Sequence, residues 1–430
     1  MNFKASFRSY TFARFQRDLM AGLIVGIVAI PLGIAFAVAS GVRPEYGIYT
    51  TIVAGALISL FGGSKYQIGG PTGAFVPILL GIVLNYGYEN LLIAGFLAGI
   101  MLILMGIMKL GNLISYIPQP VTIGFTAGIA VTIFSGQIAN FLGLRNVKKK
   151  EGFIANMEEI IIHLETFNIY SIVTALICFS VLWLSSFYFP KFPAPLFGLF
   201  VSTLVAVFFF PNQVDTIGSV YGKISTQLPS IQFPKITWEK IMTLLPPALS
   251  IALLGGIESL LSAVVADRMS GEKHRSNKEL IGQGIANIAT PLFGGIPATG
   301  AIARTATNIK SGATSPVAGV THSMVVLLVL WLFFDYAAYI PLACFAPILM
   351  VIAWKMSERK EFMHILKSKK SDAAILTVTF LLTVLIDLVV GVGCGLLLAS
   401  ILCCIKIAKT IKVKKDLTNK QVIILFELKD

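Results

Sequence analysis

Long uncharged hydrophobic runs alternate with short charged segments along the whole chain. A helix needs about 20 consecutive apolar residues to cross the hydrocarbon core of a bilayer, and the chain contains many such runs. Because a backbone inside a bilayer must satisfy its own hydrogen bonds, we expect these runs to be helices. The pattern therefore predicts an all-α polytopic membrane protein.

Charged positions and prolines divide the hydrophobic runs into fourteen predicted transmembrane segments, seven in each half of the chain. For example, Pro118 and Pro120 separate an interfacial linker from the fifth segment. Basic residues cluster in 1–18 and 355–370, which the positive-inside rule assigns to the cytoplasm together with both termini. An odd number of segments per half predicts a 7+7 inverted repeat. The lysine-rich loop 145–166 then lies outside, against the same rule, and its sidedness stays open.

Two segments, the third and the tenth, are interrupted in corresponding ways. Gly69-Gly70-Pro71-Thr72-Gly73-Ala74 and the later stretch Gly294 to Ala301 both contain Gly-Gly, then Pro, then Thr-Gly-Ala. Glycine and proline disfavour helix, so each segment is predicted to be a short β-strand followed by a half-helix, which begins at Thr72 or after Thr299. Two tight packing turns without a ligand are the alternative.

Half-helices that begin near the middle of the membrane present unpaired N–H groups and the positive end of the helix dipole. Two such ends that face each other can bind an anion. The residues at these ends are the candidates for the binding site, namely Thr72, Gly73, Ala74, Gly300, Ala301, Ile302 and Ala303.

Three side chains could add charge or proton chemistry to this site. Arg304 lies about one turn into the second half-helix, where a guanidinium needs a cavity or a partner and could attract an anion. Glu258 is the carboxylate deep in the eighth segment, and it could take up a proton when the anion binds. Ser262 follows at i+4 on the same helix face. Structural pairing is the alternative for both charges.

Composition supports the membrane class and excludes several functions. Of the 430 residues, 56% are hydrophobic and 13% are charged, whereas soluble domains carry about 25% charged residues. The net charge of +13 arises from basic residues at segment ends, so we expect no nucleic-acid partner. The five cysteines show no metal-ligand or disulfide spacing, and no phosphate loop or nucleophile–base set is present. We therefore expect no cofactor, no metal and no enzyme activity.

Several stretches resemble the SulP sulfate permease family, which is the solute carrier 26 family of anion transporters. The resemblance covers essentially 18–410. The motifs that carry it are Asp18-Leu19-Met20-Ala21-Gly22-Leu23, Pro31 to Ala37, Pro44-Glu45-Tyr46-Gly47-Ile48-Tyr49, Ile68 to Ala74, Glu258-Ser259-Leu260-Leu261 with Asp267-Arg268, and Gly294 to Arg304.

The resemblance implies a core domain that moves against a gate domain like an elevator. It places the substrate between the two half-helices, near Phe36 and Thr72, with Arg304 close by. It also implies a homodimer, and we expect the bacterial inner membrane. The implied layout is a cytoplasmic N-terminus (1–18), core (19–110 and 244–334), gate (111–243 and 335–411) and a cytoplasmic tail (412–430), in which 421–428 could begin a STAS domain.

The function expected from these features is secondary transport of a small anion such as sulfate, bicarbonate or a dicarboxylate, coupled to protons. Sodium-coupled bicarbonate members of the family tend to carry aspartate at the Glu258 position and a hydroxyl near Ile302. Glutamate and isoleucine here therefore argue against a sodium site. A sodium symporter, an anion exchanger, a nucleobase permease of the same fold and a non-transporting membrane sensor remain alternatives.

Overall fold

The computed structural model describes residues 10–114, 117–150, 152–188, 193–222, 231 and 233–418. These residues are mostly helical, and a single short pair of strands accompanies the helices in the described part of the chain. The elements of the first half are α1 (Phe12–Ala39), α2 (Pro44–Phe61), β1 (Gly69–Gly70), α3 (Val76–Tyr86), α4 (Tyr88–Ile107), α5 (Gly111–Ile114), α6 (Gln119–Gly136), α7 (Ile138–Leu142), α8 (Phe153–Ile162), α9 (Ile169–Tyr188), α10 (Ala194–Phe209) and α11 (Ile217–Tyr221).

The second half follows the same plan, with a long helix first and a strand before a short helix. Its elements are α12 (Trp238–Ser270), α13 (Ser276–Leu292), β2 (Thr299–Gly300), α14 (Ile302–Lys310), α15 (Val317–Phe333), α16 (Phe345–Met356), α17 (Arg359–Leu366), α18 (Lys370–Leu385) and α19 (Leu388–Thr418). Short 3-10 turns occupy Gly73–Phe75, Leu164–Thr166, Phe334–Tyr339 and Leu342–Cys344.

Helix boundaries differ from the sequence prediction at three places. The α12 helix begins at Trp238, where the Thr237 hydroxyl accepts a hydrogen bond from the Lys240 N–H, so Pro246 and Pro247 lie inside it. Hydrophobicity marks where a helix enters the membrane, whereas a cap decides where the helix starts.

Two further segments are more helical than predicted. The loop 145–166 contains α8, and α19 continues to Thr418. The strand predicted for 421–428 lies outside the described residues.

Among the described residues, six helices are long and apolar enough to cross a membrane, and shorter apolar helices such as 73–86 and 317–333 accompany them. The first interrupted segment is the shorter helix 73–86, whereas the half-helix of the second, Ile302–Lys310, has only 9 residues. The chain is thus a mostly helical membrane protein, and the count of fourteen segments stays a prediction.

The described residues form two compact units. The larger takes in those within 1–116 and 129–356, and the smaller those within 117–128 and 357–430. In the smaller unit, α18 packs on α19 around Val121, Ile375 and Ala399. The predicted division into core and gate is a separate matter and stays a prediction.

Helix contacts in the larger unit repeat between the two halves of the chain. The counterparts are α1 and α12, α2 and α13, and α4 and α15, and replacing each helix by its counterpart turns one observed contact into another. The pair α1–α15 corresponds to α12–α4, and the pair α4–α13 corresponds to α15–α2. The α2–α13 contact corresponds to itself. Such an exchange is what a duplicated arrangement of segments one to four and eight to eleven would produce.

Glycines allow a close crossing of α4 and α13. A methyl group at Gly99 of α4 would lie 2.8 Å from the Gly284 carbonyl oxygen, and one at Gly284 of α13 would lie 2.6 Å from the Gly99 carbonyl oxygen. Since real Cβ atoms do not approach backbone this closely, the two helices can meet only through glycine.

Asp18 links the start of α1 to the start of α15 through hydrogen bonds. Its carboxylate accepts hydrogen bonds from the Thr314 N–H at 2.5 Å and the Ser315 N–H at 3.2 Å, both of which precede the first turn of α15. The Ser315 hydroxyl at 2.5 Å and the Tyr10 hydroxyl at 2.7 Å also donate to it. Burial, followed by the hydrogen bond to Asp18, raises the pKa of Tyr10 to about 12, so this hydroxyl remains a donor.

We expect Asp18→Ala to destabilise the protein strongly, by roughly 3 kcal/mol, because it leaves several buried donors without an acceptor. The measurement is thermal unfolding of the purified protein in detergent. Asp387→Ala is the matched control, since Asp387 is an exposed aspartate that caps a helix through one bond to the Val389 N–H. Equal losses in the two variants would contradict the role assigned to Asp18.

Candidate functional site

The two interrupted segments meet in a buried two-stranded ribbon. β1 and β2 pair antiparallel, with Gly69 opposite Gly300 and Gly70 opposite Thr299. The Ala301 N–H extends the pairing by donating to the Ile68 carbonyl at 2.8 Å. The ribbon therefore brings together two stretches that are more than 200 residues apart in the chain, and a half-helix leaves from each strand.

Side chains of α12 hold the ribbon in place. The Ser259 hydroxyl accepts a hydrogen bond from the Gly300 N–H at 3.1 Å and contacts the Thr299 hydroxyl at 2.7 Å. Gln67 donates to the Ser259 carbonyl oxygen at 3.0 Å. Ser262 donates to the Gln67 amide oxygen at 3.0 Å and to Thr305 at 3.2 Å. These polar groups are buried and paired with one another, which fixes the ribbon against the helix.

A side chain of α13 fixes the approach to the second strand. The Asn287 amide accepts a hydrogen bond from the Ala298 N–H and donates to the Ala298 carbonyl, both at 2.8 Å. Asn287 thus satisfies backbone groups that would otherwise be orphaned by the break in the helix. This explains why the short, polar ninth segment is buried rather than exposed.

The two half-helices begin without a side-chain cap. In α14 the first helical bond runs from the Thr305 N–H to the Ala301 carbonyl, so the N–H groups of Ile302, Ala303 and Arg304 lie ahead of it. At the other half-helix the 3-10 turn Gly73–Phe75 follows Thr72, whose side chain does not cap it. Uncapped helix starts expose donors and positive dipole ends, which is the arrangement that binds anions.

Arg304 lies between the two interrupted segments. It is only 2% exposed, and its Nη2 donates to the Pro71 carbonyl oxygen in front of the other half-helix. Nη1 is buried and has no hydrogen-bond partner among the described residues. It lies so close to Gly70 that a methyl group there would be 2.5 Å from it. Arg304 therefore joins the two segments and retains one buried donor for a further acceptor.

Glu258 and Phe36 adjoin the start of the first half-helix. The Thr72 hydroxyl donates to Glu258 Oε2 at 3.0 Å, and the carboxylate is partly exposed. The Phe36 ring lies near Gly73, where an added methyl group would be 3.3 Å from its Cε1 atom. Glu258 and Arg304 are within electrostatic range of each other, but no ion pair between them is found within the described part of the chain.

The structure brings most of the predicted site residues together but gives some of them other partners. Phe36, Thr72, Gly73 and Glu258 form one group. Ser262, predicted to accompany Glu258, instead bonds to Gln67 and Thr305. The remaining predicted residues differ in exposure: Ala74, Gly300 and Ala301 are buried, Ile302 is partly exposed and Ala303 is exposed.

Two predicted N–H donors are already engaged in the ribbon. The Gly300 N–H is bonded to Ser259 and the Ala301 N–H to Ile68. The donors that remain at this end therefore come from the first turn of α14 and not from the residues before it. Within the described part of the chain, no three His, Cys, Asp or Glu side chains are grouped so that they could hold a metal ion.

Comparison with known proteins identifies a family to which this chain is similar. The model of the sulfate permease family matches residues 15–379. The Bacillus subtilis protein named "Putative sulfate transporter YvdB" is 63% identical over 399 residues, which are 93% of this chain and 75% of that protein. The bicarbonate transporter BicA of Picosynechococcus sp. is 32% identical over 406 residues, 91% of this chain and 70% of that protein.

Two solved structures share the fold. The transmembrane domain of a cyanobacterial bicarbonate transporter BicA aligns with a TM-score of 0.79 at 28% identity, over 91% of this chain and 98% of that one. SLC26A9 aligns with a TM-score of 0.83 at 20% identity, over 94% of this chain and 68% of that one.

Together, the mostly helical fold and its likeness to these structures define an integral membrane protein of a transporter class. The chain belongs to the sulfate permease family, whose members are transporters and not enzymes. The resemblance stated from the sequence motifs is thereby confirmed.

Proposed function

We propose that this protein is a secondary active transporter of a small anion, driven by an inward proton gradient. The family supplies the class, and relatives named for sulfate and for bicarbonate suggest an oxyanion. The observation that carries the proposal is the buried, unpartnered Nη1 of Arg304 beside two uncapped half-helix starts. An anion with several acceptor oxygens would complete these hydrogen bonds.

In this proposal the substrate is held by Arg304, by the first N–H groups of α14 and by the start of the 3-10 turn after Thr72. Phe36 forms an apolar wall, because its ring lies beside Gly73. Glu258 is the proton-carrying group, since it is partly exposed and accepts a hydrogen bond from Thr72 at the same place. Ser262 is assigned to positioning the ribbon, because it is buried and bonded to Gln67.

The transport cycle is proposed to move the core helices with the ribbon against a gate, as an elevator. The contacts that support a rigid core are those that hold the ribbon on α12, among them the hydrogen bond from Gln67 to the Ser259 carbonyl oxygen, which joins the two halves of the chain. We further propose a homodimer in the plasma membrane of a bacterium, with cytoplasmic termini and a 7+7 inverted repeat. These parts rest on the family resemblance and on the distribution of basic residues.

Uptake of radiolabelled sulfate, bicarbonate and fumarate into proteoliposomes, with and without an imposed pH gradient, tests the function. We expect one of these anions to accumulate when the inside is alkaline, in sodium-free buffer. Protein-free liposomes should take up no sulfate or fumarate, and their bicarbonate signal, which arises from diffusion of CO2 into the alkaline interior, is the baseline that is subtracted. A strict sodium requirement would indicate the sodium symporter instead. Exchange without accumulation would indicate an anion exchanger, and uptake of uracil alone a nucleobase permease. No flux of any probe would favour a non-transporting sensor.

A further inference from the structure

An apolar groove lies on the larger unit, where α9 and α16 pack together beside α6 and α7, and no residue of the ribbon is among its described lining. Its volume is about 600 Å³. The side chains that line it are aromatic or aliphatic except for a serine and a lysine, and they are Phe134, Phe141, Leu176, Phe179, Leu182, Trp183, Ser186, Met350, Val351, Trp354 and Lys355. A concave apolar surface of this size is large enough for a defined ligand.

The dimensions of the groove match one leaflet of a bilayer. Along α9 it extends from Leu176 to Ser186, which is roughly 15 Å at 1.5 Å per residue. Half of a hydrocarbon core about 30 Å thick has the same depth. An acyl chain that lies along α9 would therefore be covered by the groove over the depth of a single leaflet.

The polar character of the groove is concentrated at the C-terminal ends of its helices. Lys355 lies in the last turn of α16, is exposed and forms no ion pair with a carboxylate of the described residues. Trp183 and Trp354 are 68% and 55% exposed, and tryptophan favours the interface between headgroups and hydrocarbon. Ser186 is already engaged, since its hydroxyl donates to the Leu182 carbonyl at 2.7 Å. Among the described side chains that line the groove, Lys355 is thus the charged group available to a ligand.

We propose that this groove is a binding site for one anionic phospholipid. An acyl chain lies against the phenylalanine and leucine side chains, and the lipid phosphate pairs with Lys355. The basic segment 355–370 predicts that this end of the groove faces the cytoplasm, so the lipid belongs to the cytoplasmic leaflet, where anionic lipids attract basic side chains. A water-soluble ligand would leave the apolar lining without a partner, which favours a lipid over a free phosphate.

Native mass spectrometry of the purified protein, supplied with equal amounts of phosphatidylglycerol and phosphatidylcholine, tests the site. We expect one phosphatidylglycerol to be retained in preference to phosphatidylcholine. Lys355→Gln should lower phosphatidylglycerol retention about fivefold, the effect of one interfacial lysine, while phosphatidylcholine retention stays unchanged. Lys355→Arg should keep the preference. Lys310→Gln is the matched control, because Lys310 is also an exposed lysine at the C-terminal end of a helix.

A second variant tests the apolar part. Leu176→Trp would fill the groove from a position that is 48% exposed, so it should fold normally and lower the retention of both lipids. Equal retention of the two lipids, or equal effects of Lys355→Gln and Lys310→Gln, would overturn the proposal. So would displacement of phosphatidylglycerol by inorganic phosphate alone, which would mark a simple anion site. Conversion of a dimer to a monomer by Leu176→Trp would identify the groove as a contact between two copies of the chain, and would also refute the lipid site.

Discussion

Replacing Arg304 by alanine is expected to weaken anion binding by roughly 10- to 100-fold while the protein still folds. A hydrogen bond to a charged group contributes about 1.5–3 kcal/mol, and the variant removes such a donor together with the nearby positive charge. Within the described part of the chain, the buried Nη1 has no hydrogen-bond partner that the substitution would remove. The bond from Nη2 to Pro71 is lost as well, so a modest loss of stability should accompany the loss of binding. Isothermal titration with sulfate and bicarbonate measures the affinity.

Two further variants separate charge from position at Arg304. Arg304→Lys keeps the charge but loses the fork of donors, so we expect an intermediate affinity. Gly70→Ala keeps the guanidinium but places a methyl group 2.5 Å from Nη1 at a position with a φ of +152°, so it should weaken binding and also destabilise the ribbon. Lys310→Ala, at the far end of the same helix, is the control and should bind normally. An unchanged affinity in Arg304→Ala would remove this residue from the site.

The interruptions themselves could be predicted from the sequence because their causes are local. Glycine and proline at Gly69–Pro71 and at Gly294–Pro297 disfavour helix wherever they stand, so a break was expected in both segments. The structure has strands at Gly69–Gly70 and Thr299–Gly300 with helices after them. The second helix begins at Ile302, after Thr299 as predicted, whereas the first half-helix, predicted from Thr72, begins with the 3-10 turn Gly73–Phe75.

The contacts between the two interruptions could not be read from the sequence. Hydrophobic periodicity reports which face of one element is buried, and it holds no information about which distant element covers that face. The pairing of Gly69 with Gly300, and the bridge from Gln67 to Ser259, both depend on such distant partners. Polar residues deep in apolar segments, such as Asn287, do indicate that a buried hydrogen-bond partner exists. They do not indicate which residue that partner is.

Ser262 and Glu258 show that even within one helix the sequence does not reveal which partner each side chain contacts. Its spacing from Glu258 correctly predicts that the two residues lie near one face of α12, but a helical face spans several neighbours. Ser262 contacts Gln67 and Thr305, whereas Glu258 contacts Thr72. The rotation of α12 against the ribbon decides between these partners, and that rotation follows from packing around Gly255 and Ser259 rather than from the i+4 spacing.

Replacing Glu258 by glutamine is expected to abolish the drive of a proton gradient while anion binding is retained. In our proposal the carboxylate takes up a proton as the anion binds. Two unit charges about 6 Å apart repel by roughly 3 kcal/mol at an effective dielectric constant of 20, which is about two powers of ten in affinity. Glutamine has nearly the same shape, stays neutral and can still accept the hydrogen bond from Thr72. The variant should therefore bind the anion equally well across the pH range.

Transport measurements distinguish this coupling from a purely structural role of the carboxylate. Uptake into proteoliposomes by Glu258→Gln should be the same with and without an imposed pH gradient, and counterflow of labelled against unlabelled anion should continue. Glu239→Gln is the control, since Glu239 is an exposed carboxylate in the first turn of the same helix and should leave proton-driven accumulation intact. If Glu258→Gln lost binding and counterflow together, the carboxylate would be structural. If the variant still accumulated anion in response to the gradient, because another group carried the proton, the coupling assigned to Glu258 would be wrong.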